Sequence, residues 1–181
     1  MNSDIFENIP EYETQSLILK QLSLDDVGLM YQFNANPECL KYIARTPYTH
    51  ICQAEGRVTE FVDAIHKHKA LWWTLRLKEC STLIGFCGLF DIDKSVPKAE
   101  IGYGLLQKFW GKGYASEAIA ILADKGLAEL KFHRLYAHVV PENKGSSKAL
   151  IKNGFSYEGL LRKNAYARGV FFDMEVWAKI K

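Results

Sequence analysis

The feature that most constrains the fold is a change of hydrophobic period between residues 71 and 130. Three segments have the strand-like pattern of aromatic and apolar residues, with period-2 polar breaks in the first, and they cover residues 71–77, 83–93 and 99–106. A helical stripe follows, in which apolar residues recur at three- and four-residue spacing between Ile119 and Leu130. The short turns at 78–82 and around Pro97 predict that the three strands are antiparallel neighbours.

Elements on both sides complete the predicted fold. A strand at 16–22 precedes a helix that begins after Ser23, because Ser23 and Asp26 form a variant of the capping box. The other expected elements are a helix at 52–68, a strand at 133–140, a short helix at 146–154 ended by Gly154, and strands at 155–161 and 170–178. The order predicts one α/β (α+β) domain over residues 1–181, a mixed, mostly antiparallel twisted sheet with helices on both faces.

Composition excludes several classes of protein. A chain of 181 residues with 48% hydrophobic and 24% charged residues is typical of one globular domain. A net charge of +2 is too small to indicate nucleic-acid binding, and no apolar run is long enough for a membrane span. The N-terminus is acidic and lacks a signal-like apolar run, and the four cysteines lack CxxC spacing. We therefore expect a cytoplasmic protein with free thiols and no metal site.

A glycine-containing segment lies between the third strand and the central helix. Gly111 and Gly113 allow the backbone to approach an anion, and Lys108 and Lys112 add positive charge. The N-terminus of the following helix presents free N–H groups that suit a phosphate. The GxxxxGK[ST] and GxGxxG patterns are absent, so the segment alone indicates either a phosphate cradle or a plain turn into a helix.

Several motifs in order resemble one family. QKFWGKGYASEA resembles the cofactor-binding motif of the GNAT acyltransferase superfamily, [RQ]-x-x-G-x-[GA], with Lys108 departing from its first position. The segments LIGFCGLFDID, AEIGYGL, HRLYAHVVPENKGSSKALIKNGF and FFDMEVWAKI follow the order of its RimJ/RimL-type branch, the ribosomal-protein N-terminal acetyltransferases. The resemblance covers nearly the whole chain.

That resemblance implies acetyl-CoA as co-substrate and assigns residues to it. The strand before the cradle would separate from the next strand, and the pantetheine arm would lie in the gap against backbone groups of Gly104 and Leu105. The loop from Gly111 to Ser116 would hold the pyrophosphate, with Asn143 near the pantetheine and Lys148 near the adenosine phosphate. The residues expected to bind the cofactor are Gly104, Leu105, Lys108, Gly111, Lys112, Gly113, Tyr114, Ala115, Ser116, Asn143 and Lys148.

Glu100 and Ser146 are the candidate catalytic residues. An amine must lose a proton to attack a thioester, and Glu100 is the expected base, acting through water, unless it is a solvated strand carboxylate. Ser146 is expected to donate a hydrogen bond to the leaving sulfur, to cap the helix that follows, or both. Tyr157 and Tyr166 are alternative acids, and Cys87 is expected in the core rather than as a nucleophile.

Aromatic residues and one loop are candidates for the acceptor site. Trp72, Trp73, Trp110 and Tyr103 either belong to the core or line a substrate groove. The segment at 41–48 is the expected acceptor loop, since loops on a rigid scaffold often carry specificity.

The expected function is direct transfer of acetyl from acetyl-CoA to a primary amine. The resemblance favours the α-amine of a protein N-terminus, such as that of a ribosomal protein. A small amine such as an antibiotic, polyamine or amino acid, a longer acyl donor, and a CoA-binding module without turnover are the alternatives. Edge strands of such a sheet can pair, so a homodimer is possible.

Overall fold

The apolar segments of the chain form a single eight-stranded sheet in the computed structural model, which describes residues 3–181. The strands are β1 (Tyr12–Glu13), β2 (Leu17–Gln21), β3 (Leu71–Leu77), β4 (Leu83–Asp93), β5 (Lys98–Leu105), β6 (Arg134–Val139), β7 (Ser156–Ala167) and β8 (Val170–Ile180). The α-helices are α1 (Val27–Ala35), α2 (Ile51–His66), α3 (Tyr114–Ala128) and α4 (Lys144–Lys152). Short 3₁₀ turns lie at Ser3–Phe6, Leu24–Asp26 and Gln107–Phe109.

The strands are arranged in the order β1-β2-β3-β4-β5-β6-β8-β7. β5 and β6 are parallel, and α3 connects them as the crossover that a parallel pair requires. The other neighbouring pairs are antiparallel. The predicted mixed, mostly antiparallel sheet is therefore confirmed.

Helices cover both faces of this sheet, as predicted. Phe33 of α1 packs edge-to-face on Phe86 of β4, with ring centroids 5.0 Å apart. Gly126 of α3 lies so close to Leu135 and Leu89 that a Cβ atom there would be 2.9 Å from the Leu135 side chain. Phe86 and Leu89 are three residues apart on one strand and so point to opposite faces. α1 and α3 therefore pack on opposite sides of the sheet.

The parallel pair separates after three residues. Lys98, Ala99 and Glu100 are paired with β6, and Glu100 lies opposite Tyr136. Beyond that point β5 stays with β4 as far as Leu105, whereas β6 continues beside β8 as far as Val139. The sheet therefore opens between β5 and β6, as the family resemblance implied.

The N-terminal caps of α1 and α4 can be compared with those predicted from the sequence. The Asp26 carboxylate accepts from the Ser23 backbone N–H at 2.9 Å, which confirms the capping box before α1. The prediction that Ser146 caps α4 was wrong, because Asn143 is the N-cap and its Oδ1 accepts from the Ser146 N–H at 3.2 Å. Asn143 takes this position because its amide oxygen reaches the third helical N–H. Ser146 thus lies in the first turn, with its hydroxyl free for another contact.

Three further properties follow from the part of the chain that the structure describes. It contains no helix long and apolar enough to cross a membrane. Residues 3–181 hold no group of three or more His, Cys, Asp or Glu side chains that could bind a metal ion. All four cysteines are free; Cys39 and Cys87 are buried, whereas Cys52 and Cys80 are exposed.

Candidate active site

A cavity of about 670 Å³ opens where β5 and β6 separate. Its walls come from these two strands, the turn before α3, the first turns of α3 and α4, and the segment after α1. The predicted site residues on its surface are Glu100, Gly104, Leu105, Gly111, Gly113, Tyr114, Ala115, Ser116, Asn143 and Ser146. The fold thus brings two separate stretches of the chain, residues 100–116 and 143–146, to one cavity.

The three lysines expected at the cofactor lie outside this lining. The ammonium groups of Lys108 and Lys112 sit 5.1 and 5.7 Å from the centre of the Phe109 ring. Lys148 is exposed on α4. They can add positive potential around the cavity, but they do not form its wall.

The turn before α3 has the backbone conformation that an anion site needs. Gly111 and Gly113 have φ angles of 74° and 88°, in the left-handed region that favours glycine. Gly113 is the N-cap of α3, and no side chain caps that helix end. Because the first N–H groups of a helix lack intrahelical acceptors, they are free for an anion such as a pyrophosphate. The residues present therefore fit the predicted cradle.

The four aromatic candidates divide between core and cavity. Trp73 is fully buried and its Nε1 donates to the Pro10 carbonyl at 2.8 Å, and Trp72 is also buried. A groove role for these two was wrong, because β3 lies inside the sheet with both its faces covered. Trp110 and Tyr103 line the cavity, and the Trp110 Nε1 donates to the Leu105 carbonyl at 2.8 Å. The Leu105 carbonyl thus accepts hydrogen bonds from the Trp110 indole and, at 3.9 Å, from the Cys39 thiol.

Glu100 is paired with a histidine that the sequence did not single out. The Glu100 Oε1 lies 3.0 Å from the His138 Nδ1, and both side chains line the cavity and are partly buried. The hydrogen bond from Glu100 raises the pKa of His138, and the negative charges of Glu100 and Asp91 add to this against the opposing effect of burial. No local sequence pattern indicates this pair, because it depends on the register between β5 and β6.

Ser146 belongs to a second hydrogen-bonded pair. Its Oγ lies 2.5 Å from the Tyr103 hydroxyl, and both residues line the cavity. Burial raises the pKa of Tyr103 to about 12, so its hydroxyl keeps its proton at neutral pH. Tyr157 and Tyr166, the alternative acids, are exposed on β7 and lie outside the cavity, where Tyr157 packs edge-to-face on Trp177 and Tyr166 packs at a tilt against Phe171. The tyrosine beside the candidate acid is therefore Tyr103.

The segment after α1 reaches the cavity through Tyr42 and Ile43. Two arginines hold it in place. The Arg45 guanidinium donates to the Oδ1 of buried Asn34 at 2.7 Å. Arg168, in the turn between β7 and β8, donates to the carbonyls of Ile43, at 3.0 Å, and of Arg45. A role for residues 41–48 in acceptor binding stays a prediction.

Comparison with known proteins assigns the family. The profile described as "Acetyltransferase (GNAT) domain" matches residues 16–156. The chain belongs to the GNAT acetyltransferase family. Uncharacterized N-acetyltransferase p20 of Bacillus licheniformis is 37% identical over 168 residues, which cover 93% of this chain and 94% of that protein. The GNAT protein is accordingly an N-acetyltransferase with acetyl-CoA as co-substrate.

Solved structures share the fold of this GNAT protein. RimL, a ribosomal L7/L12 alpha-N-protein acetyltransferase in complex with coenzyme A, has a TM-score of 0.85 at 19% identity, covering 94% of this chain and 98% of its own. Spermidine N-acetyltransferase from Vibrio cholerae, in complex with CoA and spermine, has a TM-score of 0.81 at 23% identity, covering 92% and 96%. The resemblance to the RimJ/RimL-type branch thus extends to the whole fold.

Proposed function

We propose that this enzyme acetylates the α-amine of a protein or peptide N-terminus in the cavity between β5 and β6. The observation that carries the proposal is the presence of two hydrogen-bonded pairs, Glu100–His138 and Tyr103–Ser146, on the walls of one cavity beside an anion cradle. One pair can accept a proton and the other can donate one, which are the two proton transfers that amine acylation needs.

The cavity residues divide into binding and catalytic groups. The backbone N–H groups from Gly111 to Ser116 would hold the pyrophosphate, and backbone groups of Gly104 and Leu105 would contact the pantetheine. The Oδ1 of Asn143 caps α4, which leaves its amide nitrogen for the cofactor. Acetyl-CoA supplies the acetyl group as a reactive thioester.

The Tyr103–Ser146 pair suits the leaving-group side of the reaction. A serine hydroxyl alone is a weak acid, but here a buried tyrosine hydroxyl that keeps its proton lies within hydrogen-bond distance. Ser146 can donate to the departing sulfur while it accepts from Tyr103. The hydroxyl pair then returns to its starting state by taking a proton from solvent.

The charge of the cavity supports a cationic amine as acceptor. Its lining includes the Glu100 carboxylate and, within residues 3–181, no lysine or arginine.

The cost of deprotonating the acceptor favours an α-amine. An α-amine has a pKa of about 7.7–8.0, whereas a lysine-like amine has one of about 10.4, so deprotonating the latter costs roughly 3.5 kcal/mol more. The α-amine is therefore the acceptor that a carboxylate–imidazole pair can serve with the smaller barrier. The naming of RimL as an alpha-N-protein acetyltransferase agrees with this, and the spermidine enzyme makes a polyamine the competing acceptor.

An acceptor panel tests the proposal. Thiol release from acetyl-CoA is followed with DTNB, with Cys52 and Cys80 replaced by serine because exposed thiols would react with the reagent. The panel holds short peptides with free N-termini, the same peptides with blocked N-termini, and spermidine. We expect release with the free peptides and none above background with the blocked ones. Release with spermidine alone would overturn the α-amine proposal, and CoA binding without release from any acceptor would favour the binding module.

The same assay tests the acyl donor. Propionyl-CoA and butyryl-CoA compete with acetyl-CoA in the presence of the best acceptor. We expect a higher kcat/KM for acetyl-CoA than for either longer donor. A higher value for a longer acyl chain would contradict acetyl as the transferred group.

We also propose that the enzyme forms a homodimer through β7. This strand lies at the edge of the sheet, so one side of its backbone has no partner strand among the described residues. The β7–β8 hairpin exposes large apolar side chains, namely Tyr157, Leu160, Leu161, Tyr166, Val170 and Phe171. An exposed edge with this composition favours association with a second copy.

A further inference from the structure

We propose that His138 accepts the proton of the attacking amine and that Glu100 holds its imidazole in the required tautomer. This inference rests on the proposed function and refines the role that the sequence assigned to Glu100. It makes His138 a catalytic residue and Glu100 a positioning residue.

The geometry of the pair carries the assignment. Glu100 lies 3.0 Å from Nδ1 of His138, so the carboxylate accepts the Nδ1–H. A neutral imidazole with its proton on Nδ1 has its lone pair on Nε2. Among residues 3–181, Nε2 has no hydrogen-bond partner, and the ring lines the cavity. The exposed fraction of the His138 side chain is 28%, against 16% for Glu100, so the imidazole is the more accessible of the two.

Neighbouring strands fix the ring in this orientation. Tyr136, two residues earlier on β6, packs edge-to-face on the imidazole with ring centroids 5.6 Å apart. The Tyr136 hydroxyl donates to Asp91 of β4 at 2.5 Å, which anchors the tyrosine in turn. Glu100 is held on β5, whose backbone pairs with β6 at Tyr136. An imidazole positioned from three strands is suited to repeated proton transfer, since little reorganisation is needed.

The charges around His138 favour its role as a base. Glu100 of β5 and Asp91 of β4 face it, and Tyr136 and Arg134 precede it on its own strand. On β8 the residue opposite is Val176, and neighbouring Glu175 is engaged by Ser147 and Trp177. Imidazoles as a class are stronger bases than carboxylates, with pKa values of about 6.5 against about 4.3. Glu100 and Asp91 therefore increase the basicity of an imidazole, which as a class is already a stronger base than a carboxylate.

The step moves one proton from the amine to His138. As the amine nitrogen bonds to the acetyl carbon, one of its N–H bonds breaks, the electron pair of that bond stays on nitrogen, and a new Nε2–H bond forms on His138. The imidazolium is stabilised by its hydrogen bond to the Glu100 carboxylate, and it later returns the proton to solvent. The bond between the acetyl carbon and sulfur breaks with its electron pair on sulfur, and the departing thiolate takes a proton through Ser146. One proton leaves the amine and one reaches the sulfur, so the charges of the free enzyme are restored.

Kinetic pH profiles test this assignment. His138→Gln should lower kcat with the best acceptor by about 10²- to 10⁴-fold, the contribution typical of a general base. Wild-type kcat/KM should fall at low pH as His138 becomes protonated. Glu100→Ala should move that acid limb to lower pH, because it removes the carboxylate that raises the pKa of His138. His133→Gln, an exposed histidine just before β6, is the matched control and should keep wild-type activity.

The opposite pattern would overturn the inference. If Glu100 is the base, Glu100→Ala removes the enzyme's own contribution to the acid limb and leaves only that of the acceptor amine, while His138→Gln keeps the wild-type limb and a kcat within about threefold of wild type. The ionisation of the acceptor amine adds the same limb to all variants, so the comparison between variants decides.

A titration of the unloaded enzyme gives a readout independent of turnover. The ring resonances of His138, assigned by their loss in His138→Gln, should titrate above the usual histidine range in the wild type and fall towards it in Glu100→Ala. An unchanged pKa in Glu100→Ala would contradict the pairing. Unaltered CoA affinity in both variants excludes misfolding. If the wild type acetylates no amine yet this titration behaves as described, the proposed function fails while the pairing stands.

Discussion

At the scale of single residues, the cradle depends on a backbone conformation that only glycine adopts easily. At Gly111 the φ angle is 74°, and a Cβ atom would meet nothing within 4 Å. Substitution therefore introduces backbone strain of about 1–2 kcal/mol but no steric clash. Gly111→Ala and Gly111→Glu share this strain and differ in charge.

We predict that the two variants separate strain from charge. By isothermal titration calorimetry, Gly111→Ala should weaken CoA binding by about 5- to 30-fold, as its strain implies. Gly111→Glu should abolish measurable binding, because it places a carboxylate where the pyrophosphate is expected. Equal affinities of the two variants would mean that no anion lies at this turn.

Some of the site residues could be predicted from the motifs of the sequence. The glycines of the turn and the placement of Glu100 and Ser146 at one cavity followed from motif order. His138 was missed because its importance comes from the register between β5 and β6, which no local pattern encodes. The cap of α4 was misassigned because Asn143 and Ser146 are both good N-cap residues, and only the helix start distinguishes them.

At the scale of elements, α3 is tied to the segment before β2. The Glu117 carboxylate, in the first turn of α3, accepts from the Thr14 hydroxyl and from the Ser16 N–H at 2.6 Å. A partly buried backbone N–H that loses its acceptor costs about 1–3 kcal/mol. This contact connects the start of the sheet to the helix of the cofactor cradle.

We predict that Glu117→Ala lowers the free energy of unfolding by about 1–3 kcal/mol in urea denaturation. Glu117→Gln, which keeps an acceptor oxygen, should lose less. Asp124→Ala, at an exposed position of the same helix, is the control and should stay within about 0.5 kcal/mol of wild type. Equal losses for Glu117→Ala and Asp124→Ala would show that the contact contributes nothing.

The β7–β8 turn acts on the predicted acceptor loop through Arg168. Its two hydrogen bonds to carbonyls of residues 43 and 45 join the hairpin to the cavity wall. Each such bond contributes about 0.5–1.5 kcal/mol, so their loss should loosen the loop without unfolding the domain.

Arg168→Ala should raise the KM for the acceptor by about 2- to 10-fold and leave CoA affinity unchanged. Steady-state kinetics with varied acceptor, together with calorimetry for CoA, separate the two effects. Arg162→Ala on exposed β7 serves as the control. A change in CoA affinity alone would place the 41–48 segment at the cofactor rather than at the acceptor.

Element boundaries followed the hydrophobic pattern closely in the core. β3 and β4 have the predicted limits because both are buried and bounded by turn residues. β7 runs to Ala167, well beyond the predicted end at 161, because most of its outer half is exposed and has no burial pattern to reveal it. The hairpin there is held by cross-strand pairing rather than by packing on the core.

At the scale of the whole molecule, the exposed hairpin predicts self-association. Leu160→Lys should shift the mass measured by size-exclusion chromatography with light scattering from dimer to monomer, because it puts a charge on the proposed interface. Leu24→Lys, at an even more exposed leucine in the turn before α1, should leave the dimer intact. A monomeric wild type would contradict the proposed interface.

The layout of the sheet was predictable because a helix crossover permits one parallel pair and short turns give antiparallel ones. The opening between β5 and β6 was expected only from the family resemblance. The opening appears only in the strand registers, where β5 continues beside β4 and β6 continues beside β8, and no local pattern in the sequence encodes these registers.

A crystal structure of the enzyme with CoA is the decisive measurement for the cofactor site. We expect the pantetheine between β5 and β6, the pyrophosphate against the backbone of residues 111–116, and the sulfur near Ser146. CoA bound elsewhere, for example in the open depression beside Lys152 and Lys179, with the β5–β6 cavity left empty, would contradict this expectation.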